Sequence, residues 1–152
     1  MNYTVRYTHL ETIPELKQNV FLIRGDMVGR IGNTGASNGR HLHIDCIEGH
    51  VPSVYHLWEM SGGGLTPSPK QLNYFIDSEL FKSPILITTY YNDPKYMQLT
   101  KKLHTAYDVV PENRHKTDDN YDIFWNRSVR GEVLSIGFDI DYGNYIQIGF
   151  NA

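Results

Sequence analysis

The feature of the sequence that most constrains the fold is an alternating run at residues 39–45, GRHLHID. A β-strand puts the side chains of residues i and i+2 on the same face, so the run predicts His41 and His43 on one face. Leu42 and Ile44 would then point the other way, into a core. Two imidazoles on one face can converge on one ion or one substrate atom, but surface or hydrogen-bonded histidines give the same pattern.

The stretch before this strand, residues 29–39, is dense in glycine and small polar residues. Such a composition is typical of turns, and it predicts a tight loop that leads directly into the strand. Cys46, the single cysteine of the chain, follows closely. It excludes an intramolecular disulfide. We expect it to be a buried small hydrophobic residue, with a zinc ligand or a nucleophile as the alternative.

The composition suits one β-rich domain. A chain of 152 residues, 40% of them hydrophobic and 20% charged, can bury a core, and its 11 tyrosines favour strands and surfaces that handle sugar or peptide. The net charge of −3 gives no electrostatic footprint of nucleic-acid binding, and no apolar run approaches membrane-spanning length. The N-terminal residues have no signal-peptide pattern. We therefore expect neither nucleic acid nor a membrane as a partner.

Residues 50–84 differ in their sequence pattern from the β-rich segments on either side. Ser68 followed by Pro69 is typical of a helix N-cap with proline at the first helical position. Four apolar residues recur after them at helical spacing: Leu72, Phe75, Ile76 and Leu80. The segment therefore predicts one short amphipathic helix over Lys70–Phe81 that packs against a sheet or bridges two parts of the chain.

Five side chains outside that segment can be combined into one site: His9, His41, His43, His104 and Asp108. Zinc favours imidazole nitrogen and carboxylate oxygen, and a catalytic zinc keeps three protein ligands with a fourth position for water. Two histidines and one aspartate would supply three ligands, and two further histidines could move protons or stabilise an oxyanion. The competing interpretation of His104 and Asp108 is an i, i+4 pair on the solvated face of a helix.

The motifs around these residues resemble a known family, the LytM/lysostaphin-type M23 peptidases. Three segments are similar to the second half of that family, which has Tyr-x-His-Leu, Ile-Gly-x-x-Gly-x-Thr/Ser-Gly and His-Leu-His-Phe-Glu: residues 7–10, 29–37 and 41–45. Three others are similar to its first half, which has His-x-Gly-x-Asp, Gly-x-Val and a Tyr-Gly-Asn strand: residues 104–108, 130–133 and 142–148. The halves stand in reversed order, so the resemblance implies a circular permutant whose termini fall in a hairpin loop between paired strands. Surface loops tolerate such permutation.

The resemblance implies roles for the five residues. His104, Asp108 and His43 would bind one zinc ion, and His41 and His9 would be the catalytic histidines that orient water and stabilise the tetrahedral intermediate. Three positions depart from the family pattern without removing a ligand, because Ala106, Arg40 and Asp45 replace its usual glycine, proline and glutamate. Tyr90 and Tyr107 are candidates for lining the substrate groove, although strand tyrosines are commonly packing residues.

The expected fold is a mainly antiparallel β-structure with a groove across the sheet. Residues 1–152 would form a single catalytic domain in which 1–49 are the second half of the family fold, 50–84 a connector with one short helix, and 85–152 the first half. Two copies that exchanged halves could also complete each other's sites.

The resemblance implies a zinc endopeptidase that cleaves peptide bonds in bacterial peptidoglycan. Without a secretion signal, a phage lysis enzyme or a domain of a virion or tail protein would fit, acting on the cell wall. The alternatives are a non-catalytic, zinc-stabilised wall-binding or virion structural module, and a zinc carboxypeptidase of the D-Ala-D-Ala type.

Overall fold

The structure is a computed structural model that describes residues 1–57 and 64–152, so residues 58–63 of the predicted connector lie outside the described residues. The fold is mainly β, with a mostly antiparallel sheet of seven strands and two helices. The elements follow one another as β1 (Asn2–Leu10), β2 (Phe21–Leu22), β3 (Met27–Arg30), β4 (Leu42–Glu48), α1 (Pro69–Asn73), β5 (Ile85–Thr89), α2 (Pro94–Thr100), β6 (Tyr107–Pro111), a 3-10 helix (Asp118–Tyr121), β7 (Asp122–Phe124), β8 (Gly131–Asp139) and β9 (Gly143–Asn151).

The first strand of the chain lies at the centre of the large sheet. Its strand order is β2-β8-β9-β1-β4-β6-β5, and β3 pairs with β7 in a separate two-stranded sheet. β1 is antiparallel to β4 on one side and to β9, the last strand, on the other. The ends of the chain are therefore neighbours: the Met1 nitrogen donates to the Ala152 carbonyl, and the Ala152 nitrogen to the Met1 carbonyl, both at 3.1 Å.

The two faces of the central strands have different roles because neighbouring residues point in opposite directions. Leu42 and Ile44 of β4 are fully buried in the main core, as the sequence predicted. Val5 and Tyr7 of β1 share this core face, which packs against Phe75, Trp125 and other large apolar side chains. The intervening residues occupy the opposite face, and this second face carries the candidate site.

The predicted helix over Lys70–Phe81 is wrong beyond Asn73, where α1 ends. The start of the helix is confirmed, because the Ser68 hydroxyl accepts the backbone N–H of Gln71. After Asn73 the chain continues in tighter turns, and the Asp77 carboxylate accepts the backbone N–H of Glu79. Such side-chain bonds to the backbone compete with helix formation. The structure also has a second helix, α2, outside the connector.

The described parts of the connector, residues 50–57 and 64–84, pack on both faces of the sheet. Its apolar residues Leu72, Phe75 and Leu80 are fully buried in the main core, so the packing role predicted for the helix segment is confirmed. On the opposite face, Tyr55 and Leu57 form a second buried cluster around Ile47 of β4. Residues 50–57 thus border the face that carries the candidate site. Within the described parts of the chain, no helix has the length and apolar character needed to cross a membrane.

Candidate metal centre

Strand register brings His43 and Asp108 together. They are direct partners in the antiparallel pair of β4 with β6. Their neighbours Leu42 and Val109 are buried in the core, so the imidazole and the carboxylate both point to the opposite face. His43 Nδ1 lies 3.0 Å from Asp108 Oδ1. Two of the three predicted metal ligands are therefore adjacent, although they are 65 residues apart in the sequence.

The third predicted ligand, His104, approaches the same carboxylate from a loop. Its Nε2 lies 3.4 Å from Asp108 Oδ2, and its Nδ1–H donates to the Tyr90 carbonyl at 3.0 Å, so Nε2 is the ring nitrogen that faces the carboxylate. The imidazole is buried and packs on the Tyr96 ring of α2 at 4.6 Å. His104 and Asp108 do not lie on a helix, because His104 is in a loop and Asp108 is in β6.

These three side chains can converge on one cation. One ligand atom from each of His43, His104 and Asp108 lies within 4.8 Å of the others. Two imidazole nitrogens and one carboxylate are the donors that zinc prefers, and a set of three leaves a position for a water or substrate. The donor types and their orientation therefore fit a zinc ion.

His9 and His41 flank this group. His9 lies at an irregularity in the pairing of β1 with β9 and has a left-handed backbone, with φ of 60°. Its Nδ1–H donates to the Thr34 carbonyl at 2.7 Å, and His41 Nδ1–H donates to the Gly39 carbonyl at 2.7 Å. Strained residues of this kind concentrate at functional sites. In both histidines the Nε2 atom stays available for a substrate or a proton.

All five predicted residues line one open cavity of about 490 Å³. The rings of His9 and His41 are 5.1 Å apart between centroids, those of His9 and His43 are 5.8 Å apart, and His41 Nε2 lies 3.6 Å from the Asp108 carboxylate. One chain supplies the whole group, so an exchange of halves between two copies is not needed to assemble it.

Two histidines of the cluster have pKa values that are shifted in opposite directions. Burial and the nearby His43 imidazole lower the pKa of His9 to about 4, so this ring is neutral near pH 7. Burial opposes protonation of His43, but hydrogen bonds to Asp108 and Asp45 raise its pKa to about 9. Burial also disfavours the charged form of Asp108, yet His104 and His43 hold its pKa well below the usual range. In the absence of metal, a proton on His43 thus offsets the carboxylate charge.

A buried ion pair lies behind His43. Asp45 Oδ2 is 3.7 Å from His43 Nε2 and accepts Nη2 and Nε of Arg6 at 2.6 and 3.1 Å. The Tyr55 hydroxyl donates to the other carboxylate oxygen at 2.9 Å, and Arg6 also donates to the Tyr55 carbonyl. Arg6 and Asp45 are fully buried, and the guanidinium lies over the rings of Tyr55 and Tyr142, 3.9 and 3.7 Å from their centroids. Metal-binding histidines commonly have such a carboxylate on their second nitrogen.

Replacing Tyr55 with phenylalanine tests this network. The substitution leaves one oxygen of the buried Asp45 without its hydroxyl donor, and we expect it to lower the free energy of unfolding by about 1–3 kcal/mol. Urea denaturation followed by circular dichroism measures the change. Tyr3→Phe is the matched control, because among residues 1–57 and 64–152 the Tyr3 hydroxyl donates only to the exposed Met1 sulfur, at 3.4 Å. Equal stability of the two variants would contradict a structural role for the Tyr55 hydroxyl.

The glycine-rich loop forms one wall of the cavity. Gly35 has a φ of 76° and faces the backbone of Gly143 so closely that a Cβ atom would collide with it. The next residue, Ala36, donates its N–H to the Asp141 carbonyl at 2.7 Å. Ala36, Ser37 and Asn38 thereby reach the cavity. The loop predicted from the sequence is present and is held against the turn between β8 and β9.

Two of the residues that depart from the family pattern have defined environments. Arg40 donates from Nε to the Ile31 carbonyl at 2.9 Å, and its guanidinium lies 3.6 Å from the centroid of the Tyr121 ring. Ala106 is fully buried directly before β6.

Cys46 is buried on the core face, as predicted, and burial raises the pKa of its thiol. Its position in the core cluster argues against a ligand or nucleophile role.

The tyrosines near the cavity differ from the candidates chosen by sequence. Tyr90 and Tyr107 are not among the described residues that line it, and their contact with a substrate stays a prediction. Tyr107 precedes Asp108 in β6 and donates its hydroxyl to Asn73. Tyr96 and Tyr142 do line the cavity. Tyr142 belongs to the Tyr-Gly-Asn motif, so the motif could have identified it, whereas nothing in the sequence pattern pointed to Tyr96.

Comparisons with known proteins give no further guide to the family: no protein-family model matches the chain, and neither the curated proteins nor the solved structures provide a significant match.

Proposed function

We propose that the protein is a zinc-dependent endopeptidase of the LytM/lysostaphin M23 type that hydrolyses peptide bonds in bacterial peptidoglycan. The observation that carries the proposal is the convergence of five residues chosen from the sequence in one open cavity: His9, His41, His43, His104 and Asp108. These residues come from segments that are far apart in the chain. The substrate class and a place at the cell wall, in a phage lysis enzyme or a virion-associated domain, rest on the motif resemblance alone.

The circular permutation is part of this proposal. β9 carries the Tyr-Gly-Asn motif and β1 the Tyr-x-His-Leu motif, and the two strands are antiparallel neighbours. Met1 and Ala152 are hydrogen-bonded to each other at the open end of the β1–β9 pair. In the unpermuted order, a short turn would join the two strands at this end. In the proposed permutation, the original ends of the family fold lie after β4 and before β5, and the connector joins these two strands.

The chain's own residues suit hydrolysis of an amide. A zinc ion held by His43, His104 and Asp108 would supply Lewis acidity to the scissile carbonyl and to the attacking water. His9 is neutral, and its Nε2 can accept the proton of that water and return it to the leaving amine. His41 lines the same cavity, and as the second catalytic histidine it would stabilise the tetrahedral intermediate.

Removal of the His41 imidazole tests the catalytic proposal. Purified cell walls lose turbidity as their peptide cross-links are cut, and we expect His41→Ala to lower the initial rate by about 10²- to 10⁴-fold. His115→Ala is the control, since His115 is exposed and does not line the cavity. Equal rates for His41→Ala and the wild type would overturn the proposal.

The products separate the proposal from its alternatives. An endopeptidase releases new amino groups within the wall peptides, whereas a D-Ala-D-Ala carboxypeptidase releases free D-alanine. A zinc-stabilised binding module would bind the metal and the wall without releasing either product. Amino-group labelling and amino-acid analysis of the same digest distinguish the three cases.

A further inference from the structure

A second group of side chains that can bind a metal shares no ligand with the candidate metal centre, although one of its members, Asp141, lines the same cavity. His56 comes from the connector, Asp139 is the last residue of β8, and Asp141 is in the turn before β9. His56 Nε2 lies 3.3 Å from Asp139 Oδ1 and 3.7 Å from Asp141 Oδ2. One ligand atom from each residue lies within 4.8 Å of the others.

Backbone bonds and ring packing orient two members of this group. Asp139 Oδ2 accepts the backbone N–H groups of Asp141 and Tyr142, both at 3.0 Å, which holds the carboxylate in place. His56 Nε2 lies 3.3 Å from Oδ1 and 3.4 Å from Oδ2, so the imidazole faces both oxygens. The His56 ring stacks on the Tyr142 ring at 5.4 Å between centroids with an interplanar angle of 15°. The third member, Asp141, has 45% of its side chain exposed, so the convergence point is reachable from solvent.

We propose that His56, Asp139 and Asp141 form a second binding site for a divalent transition-metal ion, with zinc as the preferred ion. One imidazole and two carboxylates are a donor set that zinc accepts in a three-ligand arrangement. Calcium requires six to eight oxygen ligands and magnesium prefers carboxylates with water, so the imidazole favours zinc over both.

The second site would be independent of the first. The two groups share no ligand, and Tyr142 contacts both, with its ring centroid 6.0 Å from that of His43 and 5.4 Å from that of His56. An ion there would tie the connector to the turn between β8 and β9. That turn supplies Asp141 and Tyr142 to the cavity wall, so the ion would fix one side of the cleft without taking part in the chemistry.

Counting the zinc ions bound by the wild type and by variants of each site tests the proposal. The 152-residue chain is freed of metal with a chelator and titrated calorimetrically with zinc alone. We expect two equivalents for the wild type, one for His56→Asn, one for Asp108→Asn and none for the double variant. His115→Asn is the matched control and is expected to keep two equivalents. Cobalt titration, followed by its visible absorption, gives an independent count.

The outcomes separate the two sites. If His56→Asn and Asp139→Asn bind as many zinc ions as the wild type with unchanged affinity, the second site is overturned. If the wild type binds one ion that His56→Asn loses and Asp108→Asn keeps, the second site stands and the first is contradicted. Asp139→Asn removes the charge of one ligand but is expected to keep the fold, because an asparagine oxygen can still accept the N–H groups of Asp141 and Tyr142. Zinc should also raise the melting temperature of Asp108→Asn but not that of the double variant.

Discussion

Asp108→Asn is expected to remove the zinc ion of the candidate metal centre and to reduce wall hydrolysis by on the order of 10³-fold or more. The carboxylate lies against His43, His104 and His41, so it contacts three of the four histidines of the cluster. An amide keeps the shape but not the charge that balances a cation. Loss of a metal that contributes several kcal/mol to the transition state corresponds to about this factor, since each 1.36 kcal/mol is tenfold in rate.

Two measurements check the result. Zinc content is determined by atomic emission, and wall hydrolysis by turbidity, in the same preparations. Asp122→Asn is the matched control, because Asp122 pairs with Arg30 at 2.9 Å and does not line the cavity. If Asp108→Asn keeps the zinc affinity and the rate of the wild type, neither the ligand assignment nor the proposed chemistry holds.

Arg6→Met is expected to lower the free energy of unfolding by about 3–5 kcal/mol, the typical cost of leaving one partner of a buried ion pair without the other. The substitution keeps the length of the side chain but leaves Asp45 buried with Tyr55 and His43 as its remaining partners. The double variant Arg6→Met/Asp45→Asn should recover part of the loss, because no uncompensated carboxylate is then buried. Urea denaturation measures both.

Arg24→Met provides the comparison for Arg6. Arg24 pairs with Glu79 at 3.4 Å, and both side chains are more than half exposed, at 55% and 57%. Exposed pairs of this kind contribute at most about 1 kcal/mol. A loss for Arg6→Met no larger than that for Arg24→Met would show that the buried pair does not stabilise the fold.

The sequence predicted the structure correctly where a short-range pattern alone determines on which side of a strand a residue lies. Alternation in residues 39–45 correctly placed Leu42 and Ile44 in the core, because a strand allows its residues only two directions. The meeting of His43 with His104 and Asp108 could not come from alternation, since it depends on the register of β4 with β6. Only the motif resemblance linked these distant segments before the structure was known.

Other features depend on tertiary contacts that no local pattern reports. Arg6 lies between Val5 and Tyr7 in an alternating strand, so the face of the sheet on which it lies was predictable. Its burial, however, depends on Asp45 and on Tyr55 from the connector. The helix prediction failed for a similar reason: Phe75 and Leu80 recur at helical spacing, yet they reach the core through turns. His56 is one histidine without a motif, and only the fold brings it to Asp139 and Asp141.

The central position of β1 has a consequence for the folding rate. Asn2 pairs with Asn151, so segments that are far apart in the sequence must meet before the sheet is complete. Contacts so distant in sequence fold slowly, because the entropy of closing a long loop is lost before the pairing energy is gained. His9 and His43 lie on β1 and β4, and Asp108 on β6. Because the candidate metal centre needs β1, β4 and β6 together, we expect it to assemble only after β6 has left the ribosome.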